Sequence, residues 1–152
     1  MIIYIEDILR EADILNWYRG EAAKLKEPEA VAAQSNKETQ DAMLYHLRQA
    51  VMTVLNMANR NRVRFTCDDV DDGLVFSIAP IREGREYVLP MLKENIRLFL
   101  VAEIRRLWMM NVRPEWADAT MREKLLADIG QAMNDVTAMG PKVRRRCAIM
   151  GI

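Results

Sequence analysis

The segment from Ile96 to Met110 would be apolar on almost every side of a helix, and no other feature of the sequence constrains the fold as strongly. A helix that is hydrophobic nearly all round is buried nearly all round. Pro90 fits the first turn of such a helix, because the missing N–H has no intrahelical partner there. We therefore predict a helix over about Glu86 to Val112 at the centre of the domain, with subunit contacts on any side left open.

A second helix is predicted near the start of the chain, from about Asp7 to Lys26. Pro28 ends it, because the residue before a proline disfavours helical geometry. Residues 28–36 are expected to form a connector with room for one helical turn. The apolar residues of this helix recur at three and four positions and are predicted to share one face: Ile8, Ala12, Leu15, Tyr18, Ala22 and Leu25.

Two further helices follow from capping patterns. Ser35 and Glu38 stand three apart, as a capping box requires, and precede an apolar stripe that reaches about Asn59. Thr120 and Glu123 repeat the pattern before a last helix. The fold class is thus predicted as mainly α.

Between the second and third long helices the apolar period changes to two, which is typical of strands. Asp72-Gly73 suits a type I′ turn, so a short hairpin is predicted at about 62–79, with Cys67 opposite Ile78. The complete prediction is a four-helix domain over residues 1–140, with one hairpin and a C-terminal tail over residues 141–152. The hairpin face predicted to be apolar comprises Phe65, Cys67, Phe76 and Ile78.

Composition and charge exclude several classes of protein. With 51% hydrophobic and 29% charged residues the chain has enough apolar side chain for a core. Its 22 basic and 22 acidic residues cancel, so no global field attracts nucleic acid or an anionic membrane. The most apolar run, residues 98–102, falls far short of the ~20 residues of a membrane span. The opening MIIYIED lacks the basic flank of a signal peptide. We therefore expect a soluble, cytoplasmic protein in which Cys67 and Cys147 are free thiols, with a disulfide as the alternative.

No catalytic, cofactor or metal constellation is predicted. The acidic segment 68–73 has Val70 and Ala79 where a calcium loop needs oxygen ligands, so a solvated turn is expected and adventitious calcium binding is the alternative. His46 is the only histidine and is expected to be exposed, without partners for a zinc site. No glycine-rich phosphate loop is present. An enzyme would have to use His46 with a carboxylate such as Glu103.

Glu103 is the acidic residue that stands out, because it lies within the predicted central helix. Arg97 and Arg106 are within helical reach of it and could neutralise its charge. The lower-ranked alternative is an acid in a reactive cleft. The prediction favours neutralisation.

The tail, residues 141–152, carries four basic residues and no acid. It could dock a partner, grip nucleic-acid phosphates or be a solvated end. Its apolar residues favour docking, since a purely solvating tail does not need them. The candidate partner-binding residues are Lys142, Arg144, Arg145, Arg146 and Ile149.

The order of elements resembles the small helical structural proteins of phages and prophages, of the head–tail adaptor, connector or tail-completion type. The likeness covers about the last two-thirds of the chain and rests on three features: Glu86-Tyr87-Val88-Leu89-Pro90 leading into Leu98–Ile104, then Trp108, then Val143-Arg144-Arg145-Arg146. It implies a non-enzymatic subunit that assembles into a homo-oligomeric ring, contacts other assembly proteins and is cytoplasmic or virion-associated. The alternative is a nucleic-acid-binding regulator that uses the basic tail.

Overall fold

Four α-helices and a three-stranded antiparallel sheet make up residues 1–137, the part of the chain that the computed structural model describes. The prediction of a mainly α fold with a hairpin between the second and third long helices is confirmed. Short 3₁₀ turns join several of the elements. The strands and helices are β1 (Ile2–Tyr4), α1 (Ile5–Ala23), α2 (Gln40–Arg60), β2 (Arg64–Val70), β3 (Gly73–Ala79), α3 (Leu89–Val112) and α4 (Arg122–Thr137).

Helix α3 is the central element, as predicted. It packs against α1, α2, α4 and β1, and its core residues Ile96, Phe99 and Ile104 have no exposed surface. The enclosure is incomplete, since Leu98 is 38% exposed and Met110 is 50% exposed. Helix α3 is therefore buried on most sides, with exposed apolar side chains at these two positions.

The hairpin exists, but its predicted register is wrong by two residues. Cys67 pairs with Phe76 instead of Ile78, and the turn residues are Asp71 and Asp72. Asp71 takes the left-handed conformation, with φ at 54°, which aspartate tolerates better than most residues. Side chains alternate between faces of a sheet, so a slip of two residues leaves the faces unchanged. The predicted inner face is confirmed: Phe65, Phe76 and Ile78 are buried and Cys67 is half-buried.

Gly73 lies in β3 and not in the turn, because a third strand approaches it. Strand β1 pairs with β3 and places Tyr4 opposite Gly73. A Cβ atom at Gly73 would lie 3.3 Å from Cγ2 of Ile2, which is tighter than ordinary contact. The glycine thus admits the neighbouring strand, and β1 itself was not predicted because three residues carry too little periodic signal.

Helix α1 buries a different face from the one predicted. Leu15, Tyr18 and Leu25 were expected to be in the core, but they are 37%, 63% and 91% exposed. The helix ends at Ala23, so Leu25 lies beyond it. Of the residues predicted to face inward, Ile8 and Ala12 are buried, and three other residues complete the inner face: Leu9, Asn16 and Gly20.

Asn16 and Gly20 break the apolar pattern for reasons visible in the structure. A Cβ atom at Gly20 would lie 3.1 Å from the Ala30 carbonyl oxygen, so the absence of a side chain lets the 3₁₀ turn Pro28–Ala33 pack close. Asn16 is buried because it is hydrogen-bonded to Ser35 and Arg105. Two residues that a hydrophobicity pattern scores as polar or neutral therefore form the centre of the inner face.

Both predicted capping boxes are wrong. Asn36 caps the turn Lys37–Thr39 before α2: its side chain accepts from the Glu38 amide, while Thr39 accepts from the Asn36 amide. The hydroxyl of Ser35 is buried one residue earlier and is bonded elsewhere. Ahead of α4, the Thr120 amide and hydroxyl both donate to Asp118. A serine or threonine three residues before a glutamate can cap a helix or can form other local or tertiary hydrogen bonds, and sequence spacing alone does not distinguish the two roles.

Candidate functional site

The candidate partner-binding residues in the tail, Lys142, Arg144, Arg145, Arg146 and Ile149, lie outside the described residues. Partner docking through the tail therefore stays a prediction.

The acidic hairpin turn has the form of a solvated turn. Asp68 and Asp69 are exposed at the end of β2, and Asp71 and Asp72 are exposed in the turn. Within residues 1–137 no group of three or more histidine, cysteine, aspartate or glutamate side chains could hold a metal ion. In the same part of the chain no helix is long and apolar enough to cross a bilayer.

His46 is buried, which corrects the prediction that it is exposed. Only 5% of its surface is accessible. Nδ1 lies 3.3 Å from Oε1 of Gln49, and Nε2 lies 3.2 Å from Nδ2 of Asn111. These partners suit one neutral tautomer, in which Nδ1–H donates to Gln49 and Nε2 accepts from Asn111. The histidine is therefore a hydrogen-bonded link between α2 and α3.

Glu103 is 3% exposed and is neutralised by two arginines. Arg106 forms one ion pair within α3, as its spacing predicts, and Arg122 of α4 forms a second, with Nε 3.1 Å from Oε2. The hydrogen bond to Glu103 raises the pKa of Arg106 above its ordinary value. Arg97 has no part in this cluster, because it pairs with Glu94 and Glu11. The Glu103 carboxylate thus joins α3 to α4.

A partly buried chain of hydrogen bonds crosses from α3 to α1. Arg105 Nε donates to Oδ1 of Asn16 over 3.0 Å, and Asn16 Nδ2 donates to Oγ of Ser35 over 2.9 Å. The Ser35 hydroxyl donates to Oδ1 of Asp13 over 2.5 Å. Since a guanidinium can only donate and an ionised carboxylate can only accept, the direction of the whole chain is determined. Asn16 thereby holds Arg105 in a defined position.

Arg105 lies in a small cavity with other arginines, hereafter the arginine pocket. The cavity measures about 170 Å³, and its polar lining is Arg19, Arg105, Arg106 and Asp118. Trp116 also lines it. Arg19 donates to the carbonyl of Trp116 over 3.0 Å, and its guanidinium carbon lies 4.7 Å from the centre of the indole ring. The pKa of Arg105 is lowered by burial and by the nearby charge of Arg19.

The outer face of α1 presents a second candidate surface, an apolar one, which we call the α1 patch and define as Ile14, Trp17 and Tyr18. These side chains are 47%, 47% and 63% exposed. The rings of Trp17 and Tyr18 meet edge-to-face with centroids 5.1 Å apart. Two clefts border the patch and share Asp13, Ile14 and Lys37 in their walls. The patch is therefore continuous with concave surface on one side of the helix.

Comparison with protein-family models, with curated proteins and with solved structures gives no match. The resemblance to phage structural proteins consequently stays a proposal.

The sequence held a signal for the α1 patch, although Tyr18 was predicted to lie in the core. Trp17 and Tyr18 are adjacent, and adjacent residues of a helix point about 100° apart, so a single narrow stripe cannot bury both. For the arginine pocket there was no comparable signal. Arg19, Arg105 and Asp118 come from three separate segments, and only the tertiary fold brings them together.

Proposed function

We propose that the chain is a non-enzymatic structural subunit that assembles with copies of itself, as a head–tail adaptor or connector of phage type. The α1 patch carries the proposal. Three large apolar side chains, two of them aromatic, are about half exposed or more on one helix face. Aromatic residues are enriched at protein interfaces, and contiguous exposed apolar surface is typical of contact sites.

The state of the two residues considered for catalysis supports a structural role. His46 is engaged at both ring nitrogens by α2 and α3 side chains. Glu103 is held between two arginines, and it does not line the arginine pocket. Both side chains therefore have roles in the packing of the helices.

Sedimentation equilibrium of the full chain over a concentration series tests self-assembly. We expect the average mass to rise with concentration, and we expect Trp17→Glu to shift the chain towards monomer, because a charge in the patch would have to be desolvated on association. Met52→Glu on α2 is the matched control, since Met52 is 53% exposed against 47% for Trp17. A chain that remains monomeric at every concentration would contradict the proposal, as would equal dissociation by both variants.

The phage-type part of the proposal is tested separately by the genes that lie beside this one. Portal, capsid and tail genes are expected there, because assembly proteins of a virion act together. Co-purification of the full chain with the product of a neighbouring gene should then depend on Trp17. Neighbours that belong to an unrelated process would refute the adaptor assignment while leaving self-assembly to the sedimentation result.

A further inference from the structure

The charges around the arginine pocket do not balance. Arg106 is neutralised by Glu103. Arg19 and Arg105, in contrast, form no ion pair with any carboxylate of residues 1–137, and each makes one hydrogen bond, to a neutral oxygen. Asp118 also lines the pocket, and the hydrogen bonds from the amide and the hydroxyl of Thr120 favour its charged form, but its single negative charge offsets only part of the charge of the two arginines. The pocket therefore retains an excess of positive charge.

The position of Arg105 is costly unless an anion compensates for it. Burial and the neighbouring Arg19 both disfavour its charged form and lower its pKa. Asn16, which is fully buried, nevertheless fixes the guanidinium through Nε. Within the described part of the chain, the two terminal nitrogens of Arg105 have no protein partner. These nitrogens are the donors that arginine uses for oxyanions.

We propose that the arginine pocket binds a phosphate dianion, either free or as the terminal group of a phosphomonoester. Arg19 and Arg105 supply two guanidinium groups that form no ion pair, Asp118 offsets part of their charge, and their N–H groups suit the oxygens of the ligand. The volume of about 170 Å³ exceeds the ~30 Å³ share of one water several-fold, so a phosphate group fits. Asp118 repels the ligand and limits its affinity. This site is independent of the proposed assembly role.

Isothermal titration of the full chain at low ionic strength tests the site, with inorganic phosphate, adenosine monophosphate and acetate as separate probes. We expect phosphate and the monophosphate to bind with one site per chain and acetate to bind much more weakly. Equal affinities identify the phosphate group as the ligand, and binding of the monophosphate alone identifies a phosphomonoester. The indole N–H resonance of Trp116, assigned by Trp116→Phe, should move on saturation because the ring lines the pocket.

Substitutions in the pocket locate the site, because they are expected to change the phosphate affinity in opposite directions. Arg105→Gln and Arg19→Gln are each expected to weaken phosphate binding about tenfold or more, the loss of a charge-assisted contact. Asp118→Asn should strengthen binding severalfold, because it removes the opposing charge without touching the arginines. Arg48→Gln, on an exposed arginine of α2 outside the pocket, is the matched control and should leave affinity unchanged.

Three results would overturn the proposal. They are no heat and no Trp116 shift with either phosphate probe, acetate binding as tightly as phosphate, and equal weakening by Arg48→Gln and Arg105→Gln. If Arg105→Gln does not fold, as judged by circular dichroism, then Arg19→Gln and Asp118→Asn decide. An absence of opposite signs between those two variants would also refute the site.

Discussion

Replacing Glu103 with glutamine should destabilise the fold by about 2–3 kcal/mol. A buried charge-assisted contact is worth about 1.5–3 kcal/mol, and Glu103 makes two, to Arg106 and Arg122. Glutamine keeps the volume and one acceptor oxygen but leaves Arg106 without a counter-charge and Arg122 with only the exposed Glu123. Those cations are 19% and 28% exposed, so water recovers part of the loss and the cost falls below the roughly 3–5 kcal/mol of a fully buried orphan charge.

The chain provides a matched control for this experiment in the same helix. Glu94 and Arg97 have the same three-residue spacing in α3, but the Glu94 side chain is 54% exposed. Glu94→Gln is therefore expected to cost about 0.5 kcal/mol or less. Urea unfolding followed by circular dichroism measures both variants, and thermal midpoints should fall by about 5–10 °C and by about 2 °C or less, respectively. Losses that agree within about 0.5 kcal/mol would show that burial does not strengthen the Glu103 cluster.

Two further predictions concern a thiol and a pair of glycines. Burial, with Asp68 and Asp69 nearby, raises the pKa of Cys67 to about 11. In a Cys147→Ser protein at pH 8, iodoacetamide should therefore alkylate Cys67 about a hundredfold more slowly in the folded than in the urea-unfolded state. The alkylation rate of the folded protein should rise with pH up to about pH 11, and equal rates in the two states would contradict the raised pKa. Gly20→Ala should destabilise the fold by about 1–2 kcal/mol, because the new Cβ would meet the Ala30 carbonyl. Gly130→Ala in α4 should be neutral or should stabilise the fold by up to about 1 kcal/mol, because its Cβ would lie at an ordinary 3.4 Å from two side-chain atoms. Chemical denaturation compares the two alanine variants, and the same sign for both would refute the packing argument.

The sequence predicted correctly the elements whose burial follows one simple pattern along the chain. In α3 most sides are buried, so the majority of the apolar residues from Ile96 onward agree with the central position, with Leu98 and Met110 as exposed exceptions. In the hairpin, alternation predicted the buried face although the pairing was wrong. The register failed because Gly73 was assigned to the turn, whereas contact with Ile2 of β1 requires it in the strand. Information from a distant segment was needed there, and local pattern does not contain it.

Polar residues inside the fold were the ones that local reasoning misplaced. His46, Ser35 and Asn16 have polar side chains, and each was predicted to be exposed, assigned to a cap or left without a role. Each is buried because a partner far along the chain forms a hydrogen bond with it. The partner is Asn111 for His46, Asp13 for Ser35 and Arg105 for Asn16. Burial of such groups is favourable only with those partners, so it follows from tertiary contacts and not from residue type.

The two proposed functions lie where the pattern of the sequence and the structure disagree. Helix α1 exposes the α1 patch and buries Asn16, the reverse of what hydrophobicity alone would favour. A chain selected only for stability would be expected to bury Trp17 and to replace Asn16 with an apolar residue. Asn16 connects the two surfaces, because it fixes Arg105 in the arginine pocket on one side and bonds Ser35, which lines the cleft beside the patch, on the other. Asn16→Leu should therefore weaken phosphate binding by releasing Arg105, even where the core tolerates the added apolar volume. Unchanged phosphate affinity in a folded Asn16→Leu chain would show that the partly buried chain of hydrogen bonds serves packing alone.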